Sequence, residues 1–127
     1  MGQIIVLDDD EVIAQLLRTV LADAGHAPLV AGSLEGIPVG TQADLVVTDL
    51  LPVQAYRREG AKSWIEVLRR RFRAPIIIVT AHIAAVREPD ALGADAIVAK
   101  PFDVEALLAT IEERLATGAQ RPPSVTS

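Results

Sequence analysis

The chain has no cysteine, and only 3% of its 127 residues are aromatic. Without thiols there are no disulfides and no thiolate metal ligands, a usage that fits the cytoplasm. The scarcity of rings removes a stacking platform for bases. With a net charge of −5, direct binding of nucleic acid is therefore not expected. No apolar run approaches the ~20 residues of a membrane span. The first such run, Ile4–Leu7, is too short for a signal peptide and is followed by acids. Phosphate-cradling glycine motifs are missing too, since neither Gly-x-Gly-x-x-Gly nor a P-loop lysine occurs.

What is present is aliphatic. Half the residues are hydrophobic, so a core of Val, Ile, Leu and Ala is expected, as in parallel strands buried between helices. The length fits one domain. Apolar runs at 3–7, 28–31, 43–48, 76–80 and 95–99 read as strands. Helical spacing follows Asp10, a plausible N-cap, and Gly25 ends that helix. Between Gly32 and Gln42, Gly36, Pro38 and Gly40 leave room for one helical turn. A polar, irregular stretch from Pro52 to Lys62 precedes a helix over 63–72. Residues 83–92 read as a helix interrupted by Pro89. Asp103 caps a last helix that buries Val104, Leu107, Leu108, Ile111 and Leu115. The expected domain is 1–116, and 117–127 reads as a flexible tail or linker stub. Five repeats of strand and helix give a doubly wound α/β fold, whose ligands sit beyond the carboxyl ends of the strands.

That edge collects the charges. Asp8-Asp9-Asp10-Glu11 ends the first run, Asp49 the third and Lys100 the fifth. Like charges ~4 Å apart repel by about 4 kcal/mol at an effective dielectric of 20, so such a stack calls for a counter-charge. Converging, these strand ends would form a cation-binding, phosphoryl-handling pocket.

Four segments, in order, carry a resemblance: Val6-Leu7-Asp8-Asp9-Asp10; Asp44-Leu45-Val46-Val47-Thr48-Asp49-Leu50-Leu51-Pro52; Ile78-Val79-Thr80-Ala81; and Gly93-Ala94-Asp95 with Lys100-Pro101-Phe102. Over residues 3–116 the chain resembles the receiver domain of two-component response regulators, the CheY-like superfamily. The resemblance implies a flavodoxin-like sheet of order 2-1-3-4-5. It implies Asp49 as phosphoacceptor, with Lys100, the Thr80 hydroxyl and the Ala81 amide contacting the phosphoryl group. Asp8, Asp9, Asp49 and the carbonyl of Leu51 would hold Mg²⁺ or Mn²⁺. Its partners would be a histidine kinase or histidine phosphotransfer protein and a downstream protein, with a homodimer as a further possibility. Such a domain is not an enzyme beyond its own phosphotransfer and dephosphorylation. No output domain follows residue 116, so a stand-alone receiver or a piece cut at a linker is expected.

Some positions depart from the family pattern. The segment Val53–Lys62 is long, charged and lacks the Asp-Gly pair expected before the following helix. Ile97, three before Lys100, stands where a switching aromatic is usual. His82, two after Thr80, falls where side chains control water access to the phosphoryl group. The arginines Arg69, Arg70, Arg71 and Arg73 read as a solvated helix face, and His26 as a surface residue. Two rival functions remain in view. One is a receiver-like interaction module that signals without phosphorylation. The other is a phosphatase of the haloacid dehalogenase type, which needs an acid at position 51 and finds Leu51 there.

Overall fold

A computed structural model describes residues 2–50, 58–81 and 93–120. Five parallel strands, β1 (Gln3–Leu7), β2 (Ala27–Ala31), β3 (Leu45–Thr48), β4 (Ile76–Thr80) and β5 (Ala96–Ala99), form one sheet in the order β2-β1-β3-β4-β5. Side chains alternate across each strand, so one β-segment feeds two cores. Ile4 and Val6 point to one face, where they meet Leu17 and Leu21 of α1 (Glu11–Asp23) and Leu107 and Ile111 of α3 (Val104–Gln120). Ile5 and Leu7 point to the other, against Ala61, Ile65, Leu68 and Phe72 of α2 (Arg58–Phe72). Each fully buried aliphatic side chain is worth about 1.5–3 kcal/mol of transfer free energy. Both faces of the central strands are therefore dry, as their unbroken apolar runs require.

The helix ends follow local chemistry. The Asp10 side chain accepts from the backbone N–H groups of Val12 and Ile13, satisfying donors that the first turn of α1 leaves free. Gly25 adopts φ +94° just beyond that helix, a conformation open to a residue without Cβ. The single turn expected after Gly32 is a 3₁₀ turn at Leu34–Gly36. Asp103 caps α3 through Glu105 N–H at 3.1 Å. Pro28 lies in β2, an edge strand, where its missing N–H breaks no central ladder.

Several boundaries move. The helix expected over 63–72 begins at Arg58, so residues 58–62 are helical rather than irregular. The cause is Ala61, fully buried and one turn before Ile65, which carries the apolar stripe backwards. The last helix likewise continues past the expected boundary at Ala116 to Gln120. The expected helix over 83–92 with Pro89, the side chain of His82, Leu51 and the segment 52–57 lie outside the described residues, as do residues 121–127.

Candidate functional site

Parallel pairing puts every strand's carboxyl end on one edge. Leu7 lies beside Thr48 and Thr80 beside Ala99, so the next residues, Asp8, Asp49, Ala81 and Lys100, emerge as neighbours. Asp8 is almost fully buried. Its Oδ1 accepts from the Asp10 N–H at 2.9 Å and its Oδ2 from Lys100 Nζ at 2.9 Å. Asp49 donates its N–H to the Leu7 carbonyl at 2.8 Å, which ties the two strand ends together. Its Oδ1 accepts from the Leu50 N–H at 2.7 Å, and its Oδ2 from Lys100 Nζ at 3.1 Å. One ammonium thus bridges two carboxylates from different strands.

Asp9 projects into solvent, yet one oxygen from each of Asp8, Asp9 and Asp49 falls within 4.8 Å of the others. Among the described residues, these three carboxylates face the one ammonium of Lys100, so negative charge is in excess. Oxygen-only donors with that charge suit a hard divalent cation. Thr80 is fully buried at the end of β4, and its carbonyl accepts from the Lys100 N–H at 2.8 Å. The exposed Ala81 follows it. The Lys100–Pro101 peptide is cis. Of the residues named from sequence for this pocket, Leu51 and His82 lie outside the described residues.

Burial and pairing set the protonation of this cluster. Burial raises the Asp8 carboxyl above its usual range, and the hydrogen bonds from Lys100 and the Asp10 amide offset only part of that rise. Burial also works against the Lys100 charge, but hydrogen bonds to Asp8 and Asp49 outweigh it and hold the ammonium above its ordinary value. Lys100 therefore stays charged across the physiological range, while Asp8 carries its charge at a cost.

Other expectations need correction. His26 is buried, not superficial. Its Nδ1 accepts from the Gly2 N–H at 3.3 Å and its Nε2 faces Glu112 at 2.9 Å, pinning α3 to the start of the sheet. Nothing in the local sequence marks that role, because Glu112 is 86 residues away. The arginines are not simply a solvated face either. Arg69 binds the Gly93 carbonyl and Asp95, and Arg71 binds the carbonyls of Ile37 and Pro38. Ile97, read from sequence as standing in place of a switching aromatic, packs half-buried against the α2 core. One contact escaped sequence reasoning altogether: the Trp64 indole N–H donates to Thr48 Oγ1 at 2.9 Å, directly before Asp49.

No family model matches the chain. The transcriptional regulatory protein DltR of Streptococcus agalactiae is 33% identical over 119 residues, covering 88% of this chain and 51% of that protein. The chain thus spans about half the length of that relative. The non-phosphorylated HemR receiver domain of Leptospira biflexa superposes with a TM-score of 0.74 over 96% of this chain and 98% of that one. At 23% identity that match speaks for the fold alone. A response regulator receiver protein from Burkholderia phymatum is 30% identical, with a TM-score of 0.70 over 91% of this chain and 96% of its own. Near-complete coverage of that receiver, on the same five-stranded sheet, places the chain in the family of receiver domains of two-component response regulators.

Proposed function

We propose that this receiver is a phosphoacceptor in which an Asp49 carboxylate oxygen takes a phosphoryl group from a histidine kinase or histidine phosphotransfer protein. The new oxygen–phosphorus bond forms as the bond from phosphorus to the donor's imidazole nitrogen breaks, and that nitrogen keeps the electron pair. The observation that carries this reading is Lys100 Nζ, held at 2.9 Å from Asp8 and 3.1 Å from Asp49, beside three clustered carboxylates. A fixed cation at that place meets the negative charge that builds on the phosphoryl oxygens. The Thr80 hydroxyl and Ala81 amide are assigned as further donors to those oxygens. Asp8, Asp9 and Asp49, with the Leu51 carbonyl, are the residues that would hold Mg²⁺ or Mn²⁺. When bound, such an ion would neutralise part of the negative charge shared by the carboxylates and the incoming phosphoryl oxygens. Asp8 and Asp9 would hold it beside Asp49, and Lys100, already at 3.1 Å from Asp49, would meet the phosphoryl oxygens from the other side.

Phosphorylation replaces the single charge of the Asp49 carboxylate by the roughly −1.5 to −2 of a phosphoryl group with three acceptor oxygens, and we assign signalling to the repacking that follows, read by a downstream protein. The test uses acetyl phosphate and Mg²⁺, with intact mass as readout. An adduct of one phosphoryl group, about 80 Da, is expected on the wild-type chain and on Asp10→Ala. It is absent from Asp49→Asn. An adduct that survives Asp49→Asn rules out Asp49 as the acceptor. The alternative, an interaction module working without phosphorylation, draws on Ile97 packed where a switching ring was expected. Under that reading a partner binds wild type and Asp49→Asn equally well.

A further inference from the structure

Asp49 is held from behind as well as from the pocket. The Trp64 indole N–H donates to Thr48 Oγ1 at 2.9 Å, and the Thr48 hydroxyl donates onward to the Asp49 carbonyl oxygen at 2.5 Å. That hydroxyl has one proton, so accepting from Trp64 leaves the proton free for Asp49. The Asp49 carbonyl and the Leu50 N–H belong to one planar peptide unit, which turns as a rigid body. Fixing the carbonyl end therefore fixes the N–H end, and that N–H donates to Asp49 Oδ1 at 2.7 Å. With Oδ1 occupied, Oδ2 faces Lys100 at 3.1 Å.

We propose that Thr48 and Trp64 are positioning residues for phosphoryl transfer, acting through the Asp49–Leu50 peptide plane to set the rotation of the Asp49 carboxylate. This rests on the reading of Asp49 as phosphoacceptor. Thr48 is fully buried, so water does not compete for its hydroxyl. Trp64 comes from α2 and packs half-buried against the core on that face. The chain runs from helix to strand end to carboxylate through three hydrogen bonds with identified donors and one rigid peptide plane. A carboxylate free to rotate would spend less time aligned with an incoming phosphorus, and misalignment of that kind slows transfer without weakening encounter with the donor.

The test compares wild type, Thr48→Val, Thr48→Ser and Trp64→Phe for phosphorylation by acetyl phosphate at saturating Mg²⁺, with melting curves confirming that each folds. Thr48→Val keeps the shape and removes the hydroxyl; Trp64→Phe keeps a ring and removes the N–H. The maximal rate should fall about tenfold in each, near the worth of one hydrogen bond, with half-saturating acetyl phosphate unchanged. Thr48→Ser should recover most of the rate. A rate in Thr48→Val equal to wild type overturns the proposal, and so does a Thr48→Ser rate as low as that of Thr48→Val. If Thr48→Val does not fold, the Trp64→Phe rate decides. A wild-type chain that takes no phosphoryl group defeats the phosphoacceptor reading instead. The positioning claim is then judged by Mg²⁺ titration followed by melting temperature. Weaker Mg²⁺ binding in Thr48→Val than in Thr48→Ser supports it, and equal binding refutes it.

Discussion

Replacing Lys100 by methionine should expose how much repulsion the acidic cluster stores. The side chain keeps its apolar stem but loses the charge that bridges Asp8 and Asp49 at 2.9 and 3.1 Å. Each contact carries about 5 kcal/mol of attraction at an effective dielectric of 20, much of it returned as the ammonium's own desolvation. Removing one partner from a buried pair typically costs about 3–5 kcal/mol. Asp49 keeps some contact with water, so the lower end, about 3 kcal/mol, is the expected loss. For a domain of this length that lowers the melting temperature by about 12 °C.

The loss should depend on pH in a stated direction. Burial raises the folded-state pKa of Asp8, so the folded chain binds that proton more tightly than the unfolded one. Asp8 therefore favours folding as pH falls through its raised value, and this contribution disappears above it. The Lys100→Met deficit should thus be largest near neutrality and shrink in acid, where Asp8 becomes neutral. In wild type the raised Lys100 pKa stabilises the fold fully below the usual 10.5 and is lost as pH rises through the folded value. Mg²⁺ should rescue Lys100→Met by more degrees than it adds to wild type, because the same carboxylates await a cation. Thermal melts in EDTA and in Mg²⁺ at pH 5 and pH 7.5 measure all of this. A variant that melts with wild type at pH 7.5 in EDTA would refute the electrostatic account.

Two further outcomes are expected. Wild type should gain about 2.7 kcal/mol from Mg²⁺ at a hundredfold excess over its dissociation constant, and Asp8→Asn should lose most of that gain. Superimposable melts with and without the ion count against the three-carboxylate site. His26→Ala should cost about 2–3 kcal/mol in urea unfolding, combining a cavity with a stranded Gly2 N–H. Glu112→Gln should change stability by under about 1 kcal/mol, since that carboxylate is 54% exposed. Equal effects of the two substitutions would overturn the burial argument.

Asp8, Asp9, Asp49 and Lys100 could be located from sequence because each follows an apolar run, and parallel strands deliver their ends to one edge. Asp10 and Asp103 were legible as caps for an equally local reason: a short acid before a helical period satisfies the first turn. The start of α2 was hidden by Gly60 and the charges around it, although Ala61, Ile65, Leu68 and Phe72 already keep the helical interval. Asp95 could be seen only as part of a motif. In the fold its carboxylate accepts from the Ile76 N–H at 2.8 Å and binds Arg69, holding the start of β4.

The sequence by itself determined the alternation of strands and helices and the edge on which the acids stand. Both follow from periodicity and from neighbours along the chain. Only the tertiary structure decided that His26 is buried against Glu112, that Arg69 and Arg71 clasp distant carbonyls, and that Trp64 reaches Thr48. Those partners lie 16 to 86 residues apart. Hydrogen bonds between groups so far separated depend on how helices dock on the sheet, which no local pattern of residues encodes.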